Sequence, residues 1–139
     1  MTYKRFGNTY VVSIEKGEEI VESLKRFCQE ENIKLGYITG IGASNKLVIG
    51  IFDTTEKVYR STEITGEHEI TSLTGNITTM KGETYLHIHA TLANSEFEAI
   101  GGHLNSAVVS GVCEVFVQKV EGEVDREFDQ DVGLNVLKL

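Results

Sequence analysis

Residues 84–104 read Thr-Tyr-Leu-His-Ile-His-Ala-Thr-Leu-Ala-Asn-Ser-Glu-Phe-Glu-Ala-Ile-Gly-Gly-His-Leu and hold three of the chain's four histidines. From Leu86 to Leu92 the apolar residues Leu86, Ile88, Ala90 and Leu92 alternate with His87, His89 and Thr91. Side chains two apart on a strand share a face, so this is a half-buried strand that aims both imidazoles the same way. The polar run Ala93-Asn94-Ser95-Glu96 makes a short hairpin loop, because Asn94 tolerates left-handed backbone. A return strand starts near Phe97. With the loop centred on Ser95, His103 stands directly opposite His87 and Gly101 opposite His89. A slip of one residue would turn His103 to the other face.

In that register three imidazoles converge from two neighbouring strands. Their roots lie roughly 7 Å apart along a strand and roughly 5 Å apart across it, within reach of one ion about 2 Å from each nitrogen. Gly101 and Gly102 leave space above the ion. Three neutral nitrogen donors with an open fourth position suit zinc, and iron, nickel, copper or cobalt fit the same donors. The open position admits water, an anion or a substrate oxygen. One histidine on a strand is ordinarily solvent-facing or hydrogen-bonded. A His-x-His pair followed across a hairpin by Gly-Gly-His is far more specific.

With 139 residues, 40% of them apolar, the chain is long enough to bury a core without disulfide staples. The expectation is a single domain over 1–139, with a core from about 10 to 120 and an acidic segment at 121–139. No charged leader or membrane-length apolar run occurs, which points to a soluble, cytoplasmic protein without a membrane partner. Cys28 and Cys113 lack zinc-ligand spacing and read as small core residues, Cys113 on a strand that could face the site. The net charge is −8, and no basic run exceeds a pair such as Lys25-Arg26. Proteins that grip duplex phosphates carry concentrated basic surface, so composition argues against direct DNA contact. The acid-rich stretch from Glu121 to Asp131 reads as solvated surface.

Along the chain, Thr9 to Ile14 is a strand. Glu18 to Glu31 is the one clear helix, with Ile20, Val21, Leu24, Phe27 and Cys28 on a single apolar stripe and Glu18 and Glu19 at its positive end. Gly-Tyr-Ile-Thr-Gly-Ile-Gly at 36–42 runs into a strand at Leu47 to Phe52 and not into a helix, so its glycines mark a bulge or close backbone approach and not a nucleotide loop. Val58 to Thr65 and Ile70 to Thr79 are strands separated by Gly66-Glu67-His68-Glu69, where His68 is a surface residue. Lys81-Gly82-Glu83 is a turn. Ala107 to Val120 is a long strand in which Val112, Val115, Phe116 and Val117 look buried on both sides, interrupted by Glu114. Glu67, Glu69 and Glu114 are the candidate proton carriers, should the fold bring them to the histidines. Many strands and one principal helix without regular alternation give an α+β fold with a mostly antiparallel sheet.

The order Gly-Glu-Glu-Ile-Val-Glu-Ser-Leu at 17–24, Gly-Ile-Gly-Ala at 40–43, Ile-Gly-Ile-Phe-Asp at 49–53, His-Glu-Ile-Thr-Ser-Leu-Thr-Gly at 68–75, His-Ile-His-Ala-Thr-Leu at 87–92 and Gly-Gly-His-Leu at 101–104 resembles the plants-and-prokaryotes conserved (PPC) domain. The likeness runs from about Tyr10 to Val120. It implies a compact α+β domain assembled as a homotrimer and, in prokaryotic members, a metal held by the motif histidines, here His87, His89 and His103. Plant members fuse the domain to AT-hooks, and prokaryotic members are called DNA-binding by that kinship; this chain has no Arg-Gly-Arg-Pro hook. Two function classes follow. One is a homotrimeric metal-binding module, with zinc as the ion and DNA a partner by kinship alone. The other is a metal-dependent enzyme that polarises a carbonyl or activates water on a small molecule.

Overall fold

Period-two alternation recurs along most of the chain, and in the computed structural model, which describes residues 1–139, it folds as eight strands and one helix. In chain order these are β1 (Thr2–Phe6), β2 (Thr9–Glu15), α1 (Ile20–Glu30), β3 (Gly36–Asp53), β4 (Val58–Met80), β5 (Glu83–Ala93), β6 (Ala99–Lys119), β7 (Asp125–Asp129) and β8 (Leu134–Lys138). The first six strands form one antiparallel sheet in the order β1-β2-β6-β3-β4-β5, and β7 pairs with β8 in a separate hairpin. The start of β6 also pairs with β5, so the sheet curls until β6, β3, β4 and β5 close on one another. No helix is long and apolar enough to cross a membrane.

The helix is the crossover between β2 and β3, which both run antiparallel to the β6 strand between them. Its expected stripe is the buried one: Ile20, Leu24, Phe27 and Cys28 enter the core and Val21 packs at the margin. Glu19 caps the helix through Val21 N at 3.1 Å, and the same carboxylate accepts from Ala107 N at 2.7 Å, which ties the helix start to β6. A carboxylate there meets unsatisfied N–H groups and the positive end of the helix dipole. On the covered face, Phe27 meets Tyr10 edge-on at 5.2 Å, and Ile38, Leu73, Ile88, Val115 and Val117 complete the core.

Several expected boundaries move. The segments flanking Gly66-Glu67-His68-Glu69 are one continuous strand, and so are the glycine-rich run at 36–42 and Leu47 to Phe52. The bulge expected among those glycines is there, with register shifts at Gly40/Gly42 and Ser44/Lys46. A Cβ at Gly40 would lie 2.7 Å from the Glu114 carbonyl oxygen, so a side chain there would force β6 away. In β6, Val112 and Phe116 are exposed, whereas Cys113, Val115 and Val117 are buried. The expectation of burial on both sides is therefore corrected. An apolar run on both faces of a strand looks the same whether one face or two are covered within the chain. The acidic end is not simply solvated surface, since Asp125–Asp129 is a strand and Arg126 is buried.

Gly75 shows how tightly the site's strands are held. It pairs with Ile88 between the rungs Asn76–His87 and Thr74–His89, and a Cβ on it would collide with the His87 carbonyl oxygen and sit 2.9 Å from Ile88 Cα. Backbone cannot yield as a side-chain tip can, so Gly75→Ala is expected to lower unfolding free energy by about 1–3 kcal/mol, as overpacking does. Urea denaturation checks this, and unchanged stability would contradict the rigid β4–β5 ladder.

Candidate metal centre

The three histidines come together on the sheet face opposite the helix. The observed register pairs His89 with His103, Ala90 with Gly102 and Thr91 with Gly101. His103 is thus opposite His89 and not His87, a correction of two positions along the strand. Its cause is the loop: Asn94 Oδ1 accepts from Glu96 N at 2.9 Å and Glu98 N at 3.0 Å, and Phe97 takes a left-handed φ of 62°. The return strand therefore begins at Ala99 and not near Phe97. An even shift preserves the side on which residues project, so His103 stays with the other two. Across the second ladder His87 stands beside Asn76 and His89 beside Thr74.

Ring centroids lie 5.0 Å apart for His87 and His89, 5.2 Å for His87 and His103, and 5.6 Å for His89 and His103. One candidate donor atom from each falls within 4.8 Å of the others, and the Nε2 atoms of His87 and His89 are 3.2 Å apart. Donors about 2.1 Å from a shared ion at tetrahedral angles are separated by about 3.4 Å, so small side-chain rotations seat one ion. On the other flank, Gly50 pairs with His103 and lies under the Tyr59 hydroxyl, which donates to Asn105 Oδ1 at 2.5 Å. These groups open onto a cleft of about 680 Å³.

Burial and the neighbouring imidazoles His103 and His89 push the His87 pKa down from 6.5 to about 4, and burial followed by His89 lowers that of His103. Both are therefore neutral donors at pH 7, the form a metal requires. The unfolded chain protonates His87 near 6.5 while the folded chain resists to about 4, so the unfolded state binds more protons across that window and stability falls as pH drops through it. Metal-free protein is expected to lose stability between pH 6.5 and 4, and His87→Gln protein to lose less. Equal losses in urea titrations at the two ends of the window would contradict this.

Glu67 accepts from Ser110 Oγ at 2.7 Å and from Asn45 Nδ2 at 3.3 Å, Glu69 pairs with Ala43 and Ala93, and Glu114 is exposed opposite Ile41 and Ser13. None of the three lines the cleft. His68 is away from it too, its Nδ1 sharing a hydrogen bond with the Gly66 carbonyl at 2.7 Å. Cys28 and Cys113 are free core thiols that burial pushes up to about 12, so neither offers a thiolate to the site. Sequence reasoning missed Tyr59, Tyr85, Asn76, Asn135 and Arg126, and Arg126 is the consequential one. Its faint signal was a lone base among acids at an alternating position, Val124-Asp125-Arg126-Glu127-Phe128.

The model of the Plants and Prokaryotes Conserved domain matches residues 1–121. The chain belongs to that family. No curated protein matches this PPC domain, but solved structures do. A Bacteroides thetaiotaomicron protein is 39% identical with a TM-score of 0.96, over 99% of this chain and 96% of the other, and carries the name putative DNA-binding protein. A protein of Archaeoglobus fulgidus described as metal-containing is 33% identical with a TM-score of 0.90, over 100% and 99% of the two chains. A Pyrococcus horikoshii PPC protein is 33% identical with a TM-score of 0.88, over 99% and 94%. The α+β architecture with its mostly antiparallel sheet and single helix is that of these relatives.

Proposed function

We propose that this PPC domain is a metal centre carried on a homotrimer, in which His87, His89 and His103 ligate one divalent transition metal ion and leave one coordination position open to the cleft. The observation that carries the reading is the meeting of three imidazole donors within 4.8 Å on one sheet face. Neutral nitrogen donors disfavour calcium and magnesium, which take oxygen ligands. Zinc suits three histidines with an open position, and the metal-containing Archaeoglobus relative supports a resident ion. Trimer formation is what the family likeness implies, and the exposed apolar face of β3 and β6 supports it. That face carries Tyr37, Ile41, Val112 and Phe116 on two adjacent strands, with the exposed Glu114 between the last two. The net charge of −8 disfavours a duplex DNA partner.

Zinc binding to the folded state alone is expected to add about 2.7 kcal/mol of stability at a free concentration about 100 times Kd. Thermal unfolding of metal-free protein with and without zinc reads the shift, and a chelator reverses it. Identical melting curves would contradict the reading. The alternative, a metal-dependent enzyme acting on a small molecule, is favoured by one observation: the three histidines line a cleft of metabolite size. Any such reaction must vanish in His87→Ala protein, and a rate that survives there excludes this alternative.

A further inference from the structure

The C-terminal hairpin lays Arg126 into the wall of the histidine cleft, and this side chain is placed as a ligand-binding group would be. Arg126 is 6% exposed. Its Nε donates to Thr78 Oγ1 at 2.8 Å, one terminal nitrogen to the Asn135 carbonyl at 2.8 Å and the other to Asn76 Oδ1 at 2.9 Å. Its guanidinium carbon stands 4.6 Å from the centre of the Tyr85 ring. Every one of these partners is neutral, and Arg126 forms no ion pair with any Asp or Glu of the chain. A guanidinium carries about five N–H donors, of which these contacts use three, leaving about two. A buried charge without a counter-charge is costly unless something else supplies it.

The surroundings favour an anion brought from outside. The chain has 21 acidic residues, yet none lines this cleft, where Arg126 is the one permanently charged side chain. Asn76, which receives the Arg126 hydrogen bond, stands directly opposite His87, and Tyr85 precedes His87 on the same strand face. The guanidinium is therefore beside the His87 rung. Phe52, Ile51 and Leu134 add apolar wall between polar groups, which suits a carbon body more than a bare inorganic ion. A planar fork with free donors matches a carboxylate.

We propose that Arg126 binds the carboxylate of a small organic acid held in the histidine cleft. In the metal-loaded protein a second oxygen of the same acid completes the open coordination position, a clause that rests on the metal reading above.

The test uses full-length protein loaded with cobalt, whose visible absorption reports the histidine site, titrated calorimetrically with unbranched dicarboxylates from malonate to adipate and, in parallel, with inorganic phosphate. At least one dicarboxylate is expected to bind with a Kd below about 1 mM and to shift the cobalt bands, with phosphate weaker. Arg126→Lys should weaken that affinity at least about tenfold, and Arg126→Gln further, because the fork is lost. In case these variants fold poorly, the same acids added to wild-type protein labelled with nitrogen-15 should move the Nε–H resonance of Arg126. Cobalt bands that ignore every acid together with an unmoved Nε–H resonance overturn the proposal, and so does a phosphate response equal to that of the best acid. If cobalt produces no bands yet the acids still bind through Arg126, the metal reading fails and the carboxylate site stands.

Discussion

His87→Ala protein, dialysed against zinc and then buffer, is expected to retain almost no metal under conditions in which the wild-type chain holds one ion. His87 is the least replaceable of the three imidazoles. It lies within 5.2 Å of both other rings by centroid, it is the partner of the 3.2 Å nitrogen contact with His89, and its low pKa makes it a neutral donor well below pH 7. Without it two histidines remain, and no carboxylate or thiolate of the cleft can take its place. Removing even an outer partner of a metal ligand costs about 10–100-fold in affinity, so losing a ligand itself should weaken zinc binding more than about 100-fold. The side chain faces the cleft and not the core, and the fold should survive, as circular dichroism would show. Equal zinc affinity in competition titrations would contradict the role assigned to His87.

The second large effect is on assembly. Phe116 is 51% exposed and pairs with Thr39 across β3, with Ile41 at 57% exposure on the diagonal and Val11 opposite on β2. Fully burying an exposed aromatic contributes roughly 1.5–3 kcal/mol, so covering the half of Phe116 that is still exposed contributes about half of that per subunit, and a carboxylate in its place would have to be desolvated at each interface of a trimer. Phe116→Asp protein should therefore sediment near the 15.4 kDa mass of one chain, while the wild type sediments near three times that mass. The monomer itself should remain folded, because position 116 projects away from the core. A wild-type monomer, or a variant trimer as tight as the wild type, would contradict the assignment of this face.

What the chain revealed in advance divides along physical lines. The helix stripe and the His-x-His strand were legible because their periods are set by backbone geometry, and Ile20, Leu24, Phe27, His87 and His89 lie on the faces those periods dictate. The cross-strand register was not, since it depends on how Asn94 organises the loop, a contact between a side chain and its neighbours' N–H groups. The meeting of the three rings survived that error because the true pairing differs by an even number of residues. The second faces of β6 misled because apolar residues there read as core, whereas in the single chain Val112 and Phe116 have no cover. Arg126 was hidden by its acidic neighbours: a segment rich in Asp and Glu reads as solvated, whereas the hairpin docks on the end of β4, with Thr79 N donating to Val124 O at 3.0 Å and Lys81 N to Asp125 Oδ1 at 3.1 Å, and carries its one arginine inward. The proton carriers failed for a related reason, as strand position alone does not say which end of a long strand a site occupies.

Crystals of wild-type protein, grown without added metal and measured on both sides of the zinc absorption edge, test the central assignment most directly. A single anomalous peak about 2 Å from one nitrogen each of His87, His89 and His103, present above the edge and absent below it, is the predicted result. Soaking zinc into such crystals and finding no peak among the three rings would contradict the metal centre.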